Sequence, residues 1–121
     1  MSQISEESAT AFAKGEAFNR GSTKVRICDS FVGLWLENKQ LARRSPHSGH
    51  FTISLCGTQS AAVRARLCAV LSASYRAGLC DHSLYVAQRN GVSFLRNTAP
   101  GAQGYSRPVP SDDDVSIVPL R

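Results

Sequence analysis

Residues 51–76, FTISLCGTQSAAVRARLCAVLSASYR, switch the hydrophobic period from two to about 3.6 within one stretch. In an extended chain Phe51, Ile53 and Leu55 share one face, while Thr52, Ser54 and Cys56 share the other. Residues 51–56 therefore read as a strand with one covered face. Gly57-Thr58-Gln59-Ser60 closes it, and Thr58 or Ser60 can cap a helix over 60–76. Val63, Leu67, Val70, Leu71 and Ser74 recur at the spacing of a single helical face. Gly78 supplies a stop. A strand with one apolar face running into a helix with one apolar stripe predicts a helix laid on a sheet.

The flanking segments extend that sheet. Upstream, Lys24-Val25-Arg26-Ile27 alternates polar and apolar residues. Phe31 to Glu37 is apolar nearly throughout, as a central strand is. Asn38-Lys39 reads as a tight turn and Gln40 to Arg44 as the return strand. Ser45 to Gly49, with Pro46, reads as a loop. Before these, residues 3–14 form a helix pattern with Ser5 as N-cap, Glu6 and Glu7 near its positive end and Gly15 past its end. Residues 18–23, FNRGST, read as a turn. Downstream, His82 to Ala87 and Gly91 to Leu95 form a hairpin around Gln88-Arg89-Asn90-Gly91, since Asn-Gly between apolar runs is a strong hairpin signal. The predicted order is α-β-β-β-β-α-β-β, an α+β fold with a mainly antiparallel sheet and helices on one face. Residues 1–98 make one domain. Residues 99–121 make a Pro/Gly-rich extension: 99–113 read as loop or tail, and 115–118 as a late edge strand.

The chain has 121 residues, 42% hydrophobic and 19% charged, which excludes a wholly disordered protein. No run approaches the roughly 18 apolar residues of a membrane span, and no basic-then-apolar leader pattern is present. A membrane partner is not expected, and the cytoplasm of a cell is the expected setting. The net charge of +5 is unevenly placed. Residues 1–24 are neutral and residues 99–121 are slightly acidic. Residues 25–98 hold nine Lys/Arg against Asp29, Glu37 and Asp81. Most of the basic residues are Arg, whose planar fork suits phosphate and carboxylate.

Phe18-Asn19-Arg20-Gly21-Ser22-Thr23-Lys24-Val25, Leu34-Trp35-Leu36-Glu37-Asn38-Lys39-Gln40-Leu41-Ala42-Arg43, Ile53-Ser54-Leu55-Cys56-Gly57 and Arg64-Ala65-Arg66-Leu67 resemble a family of small accessory proteins of tailed bacteriophages. The resemblance covers roughly residues 12–70. This chain departs from the family pattern at Ser22, where the family has Asn, near Glu37-Asn38, where it has a Gly-Asn turn, and at Cys68, where it again has Asn. The shared motifs are turns and core strands and bring no catalytic residue. The resemblance implies a viral accessory role in the cytoplasm of a bacterial host, binding and inhibiting host machinery. A nucleic-acid-handling defence complex, of the kind anti-CRISPR proteins disable, is one such target.

The candidate chemistry is sparse. Cys28, Cys56, Cys68 and Cys80 lack any Cys-x-x-Cys spacing and read as reduced thiols, mostly buried. His47-x-x-His50 and Cys80-Asp81-His82 would need distant partners to hold zinc, and Asp112-Asp113-Asp114 reads as a solvated turn. No Gly-rich phosphate loop is present. The expectation is a protein that is not an enzyme and needs no cofactor or metal. Binding residues are sought instead in Arg43, Arg44, Arg64, Arg66, Arg89 and Trp35. Arg43 and Arg44 point to opposite faces of their strand, and Arg64 and Arg66 lie about 200° apart on their helix. Trp35 faces away from Leu34 and Leu36, into a second core or a binding face. Two partners fit: a host protein or ribonucleoprotein complex, or a nucleic acid or nucleotide held by an Arg-rich face. A small structural protein that self-associates, as a homodimer for example, is the third reading.

Overall fold

A computed structural model describes residues 3–45, 51–55, 60–79, 84–89, 92–97, 106–109 and 115–116. The chain opens with helix α1 (Gln3–Lys14), followed by strands β1 (Phe18–Arg20), β2 (Thr23–Ile27), β3 (Val32–Leu36), β4 (Lys39–Arg44) and β5 (Phe51–Ile53). Helix α2 (Ala61–Arg76) precedes β6 (Leu84–Arg89), β7 (Val92–Asn97), β8 (Ser106–Val109) and β9 (Val115–Ser116). All strand pairs are antiparallel: one sheet runs β1-β2-β3-β4-β5-β9, and a smaller one runs β6-β7-β8. The fold is α+β, with α1 and α2 packed against each other and onto one face of the larger sheet, and with β6 against α2.

The core follows the alternation. Val25, Val32, Leu34, Leu36, Ala42, Phe51 and Ile53 point to the helical side and are buried. Val63, Leu67, Val70 and Leu71 of α2 and Ala9 and Phe12 of α1 meet them, with the Phe12 and Phe51 rings 5.6 Å apart. The expected stripe of α2 is thus its buried face, and Ser74 on the same stripe is also buried. Ser60 caps α2, its hydroxyl accepting from Val63 N at 3.2 Å. Both helices end alike. Glu16 N–H donates to Ala11 O and Gly15 N–H to Phe12 O; Leu79 N–H donates to Ser74 O and Gly78 N–H to Tyr75 O. That pair of bonds needs a left-handed residue just past the helix, and Gly15 and Gly78 take φ of 75° and 78°.

Several local expectations shift. Phe18–Arg20 is not turn but strand: it pairs with β2 from Phe18↔Val25 to Arg20↔Thr23, so the turn contracts to Gly21-Ser22. The turn after β3 lies one residue earlier than Asn38-Lys39, because Leu36 pairs with Lys39 and the left-handed residues are Glu37 and Asn38. Ser5 is no cap; it sits inside α1, fully buried. Within 99–113, Ser106–Val109 pairs with β7, and farther on Val115–Ser116 pairs with β5. The Asn90-Gly91 turn lies outside the described residues.

Two arginines fasten the helical layer. Arg44 points inward on β4, where Nε donates to Phe12 O at 3.1 Å and an η nitrogen donates to Ala13 O at 3.2 Å. These carbonyls belong to the last turn of α1, which has no intrahelical donors left to meet them and carries the negative end of the helix dipole. Arg66 on α2 donates from Nε to Thr23 Oγ1 of β2 at 3.2 Å and from an η nitrogen to Ser5 Oγ of α1. Burial pushes the pKa of both guanidinium groups below the ordinary arginine value. Arg44→Met keeps the apolar stem and removes both charged hydrogen bonds. We expect it to cost about 1.5–3 kcal/mol in urea unfolding, while Arg43→Met on the opposite face, which loses only an exposed cation–π contact, stays within about 1 kcal/mol of the parent. Equal losses from the two variants would refute this assignment.

Candidate functional site

The face of the larger sheet opposite the helices gathers residues from five strands, β1 to β5. Cross-strand pairing sets Asn19, Lys24, Trp35 and Gln40 in one row and Arg26, Gly33, Arg43 and Thr52 in the next. Gln40 and Arg43 are three residues apart, so strict alternation would put them on opposite faces. A bulge corrects the phase: Leu34 pairs with Ala42 and Trp35 with Gln40, leaving Leu41 as an extra residue in β4. Leu41 and Ala42 both turn into the core.

Aromatic rings run along the middle of this face. The six-membered ring of Trp35 lies across Gly33. A Cβ at residue 33 would come within 2.5 Å of Trp35 Cη2 and 2.9 Å of Gln40 Nε2. Gly33 has ordinary negative φ, so glycine is needed there for space and not for backbone conformation. Phe31, just before β3, places its ring 6.4 Å from that of Trp35. The Arg43 guanidinium stacks on Phe31 at 4.0 Å from the ring centroid, a cation–π contact. Phe31 and Trp35 are each half-buried, and Arg26 and Arg43 are exposed.

Lys24 and Arg26 border the aromatic row on the β2 side, and Arg43 borders it on the β4 side. Among the described residues, Lys24 and Arg26 make no ion pair. No described strand position on this face carries Asp or Glu; the carboxylates of the β2–β4 region, Asp29 and Glu37, lie in turns at its ends. The cationic side runs on into an open depression of about 500 Å³ beside β1, which Asn19, Lys24 and Arg26 help to line. The result is a single-sign surface with flat apolar rings at its centre.

Of the six residues singled out from the sequence, this face unites Arg43 and Trp35. Arg44 and Arg66 face inward and hold the helices. Arg64 is half-buried on α2, one turn before Cys68, and its charge draws the Cys68 thiol down slightly. Burial acts more strongly and raises the Cys68 pKa overall. That thiol donates to Val86 O at 3.4 Å and accepts from Val86 N at 3.3 Å, tying α2 to β6. Arg89 ends β6, paired with Val92 in the smaller sheet. Of the other thiols, Cys28 is free and exposed, and Cys56 and Cys80 lie outside the described residues. His47, His50, His82 and Asp112 to Asp114 also lie outside them. Among the described residues, no three His, Cys, Asp or Glu side chains form a metal-ligating group. No described helix is long and apolar enough to cross a membrane.

Lys24, Arg26, Phe31 and Gly33 were not singled out from the sequence. The alternation of Lys24-Val25-Arg26-Ile27 carried part of the signal, since it puts both cations opposite Val25. What it lacked was the strand order that sets them beside Trp35. No protein-family model, curated protein or solved structure matches this chain.

Trp35 is the only tryptophan, so its fluorescence reports on this face alone. Gly33→Ala must push the ring aside. We expect a stability loss of about 1–3 kcal/mol from overpacking and an emission shift toward that of water-exposed indole. An unchanged spectrum would show that the ring does not rest on Gly33.

Proposed function

We propose that this chain is a non-enzymatic, phage-type accessory protein that binds an anionic component of host machinery on the outer face of its six-stranded sheet. The observation that carries the reading is the set of Lys24, Arg26 and Arg43 around Trp35 and Phe31, with no carboxylate at the described strand positions of that face. A surface built only for solubility interleaves both signs of charge. A surface of one sign steers an opposite charge toward itself and repels others of its own sign. The aromatic rings add contact area at low entropic cost, because each has only two side-chain torsions to fix.

Binding alone suffices for the role that the sequence resemblance implies. A small protein that occupies an anionic site, or takes its place on nucleic acid, blocks the host complex without turning over a substrate. The partner is then a host protein or ribonucleoprotein complex in the bacterial cytoplasm.

The test compares two charge reversals of equal size. Lys24→Glu/Arg26→Glu changes the outer face, and Lys14→Glu/Arg76→Glu changes the helical side, where both residues are exposed. We expect the parent and the helix-side variant to retain the same anionic host component from bacterial lysate, and the sheet-face variant to lose it. Equal retention by all three, or none by the parent, would defeat the proposal.

A further inference from the structure

We infer that the partner on the outer face is a single-stranded nucleic acid, with one base stacked on Trp35 and backbone phosphates on Lys24, Arg26 and Arg43. The inference rests on the reading of that face as an anion-binding surface and names the partner class.

The face separates two kinds of contact. Along β3 the rings of Phe31 and Trp35 form a row, and the cations stand on the strands either side of it. A single strand presents the same pair of features, with flat bases on one side of a charged backbone. Every base has a π face, so stacking on an aromatic ring tolerates any sequence. A duplex hides those faces within its own stack and offers only its backbone and groove edges. An acidic protein surface would meet the cations but leave the rings without flat partners.

The two rings differ in what they can accept. Arg43 already stacks on Phe31 at 4.0 Å, so a base reaches that ring only by displacing the guanidinium. Phe31 acts as a positioning residue: it holds the Arg43 fork in place, which lowers the ordering cost when a phosphate arrives. Trp35 has the sheet backbone of Gly33 beneath it, and among the described residues no cation stacks on it. Trp35 is therefore the base platform. Lys24, directly opposite it on β2, is placed for the phosphate of the same nucleotide, and Arg26, two residues along, for the next.

The test uses the full chain with DNA and RNA single strands of mixed sequence, about 12 nucleotides long to suit one small binding surface. The matching DNA duplex and heparin, a polyanion without bases, are the controls. Saturable quenching of Trp35 fluorescence is expected with the single strands. Their affinity should fall with salt at a log–log slope of about −2, for three phosphate contacts at about −0.7 each. Arg26→Gln should lower that slope by about 0.7. Trp35→Leu keeps an apolar cover over Gly33; with folding verified by circular dichroism, it should weaken binding by about 5- to 150-fold and leave the slope unchanged. Quenching in the parent remains a readout should Trp35→Leu not fold. A response to either the DNA or the RNA strand upholds the inference, and the stronger identifies the preferred sugar.

Duplex binding as tight as that of the single strands would overturn it, as would unchanged affinity in folded Trp35→Leu. Heparin binding that depends on Lys24 and Arg26, with no Trp35 response to single strands, would overturn the nucleic-acid assignment and leave the anion-binding face standing. No binding of any probe, with no host component retained from lysate, would remove both.

Discussion

Two guanidinium groups hold the helical layer to the sheet, and much else follows from where they are spent. Arg44 meets the last carbonyls of α1, and Arg66 joins α2 to Thr23 of β2 and Ser5 of α1. Each replaces lost water contacts with directed bonds to oxygens, so the partial burial of a cation is compensated. Ser5 and Thr23 are fully buried polar residues, and their hydroxyls need such a donor. The anchoring also fixes handedness of use. With α1 and α2 fastened to one face, the other face of the six-stranded sheet lies opposite the helical layer.

That opposite face is shaped by one missing atom. Gly33 sits mid-strand in β3, where glycine ordinarily weakens a sheet. Its lack of a Cβ lets the Trp35 ring fold back along its own strand over residue 33, with Phe31 6.4 Å away. A larger residue would raise the indole, and the row of rings would break up. The bulge at Leu41 has a matching effect across the strand pair, since it brings Gln40 and Arg43 onto the same face. The glycine and the bulge thus build the surface jointly, and the bulge at the same time turns both Leu41 and Ala42 into the core.

The elements were largely legible in the sequence because local signals agreed with one another. The 3.6-residue stripe of α2, its Ser60 cap and its Gly78 stop all point the same way, and the helix runs over Ala61–Arg76. β1 was missed because Phe18-Asn19-Arg20 is too short to show a period and adjoins Gly21-Ser22, which suggests a turn. The site was less legible. Arg43 beside Arg44, and Arg64 near Arg66, look alike in sequence, yet one of each pair is structural. Face assignment along a strand predicts that Arg43 and Arg44 diverge but not which of them meets a helix. That depends on the last turn of α1 lying against Phe51 and within reach of Arg44, a packing relation between residues more than thirty positions apart.

An exposed sheet face with two aromatic rings is a hazard in its own right, because flat apolar surface invites a second sheet to stack on it. Cations beside the rings counter that tendency, since two copies brought face to face would repel. Repulsion between copies, however, would be served as well by acidic residues or by a mixture of rows. The described strand positions of this face carry Lys24, Arg26 and Arg43 and no carboxylate. Arg43 is moreover held on Phe31 where a guardian charge would need only to project into water. A cation kept in fixed geometry beside a flat ring goes beyond what protection from aggregation requires. The single-stranded partner proposed above, in which negative charge and flat surface alternate, would make use of both.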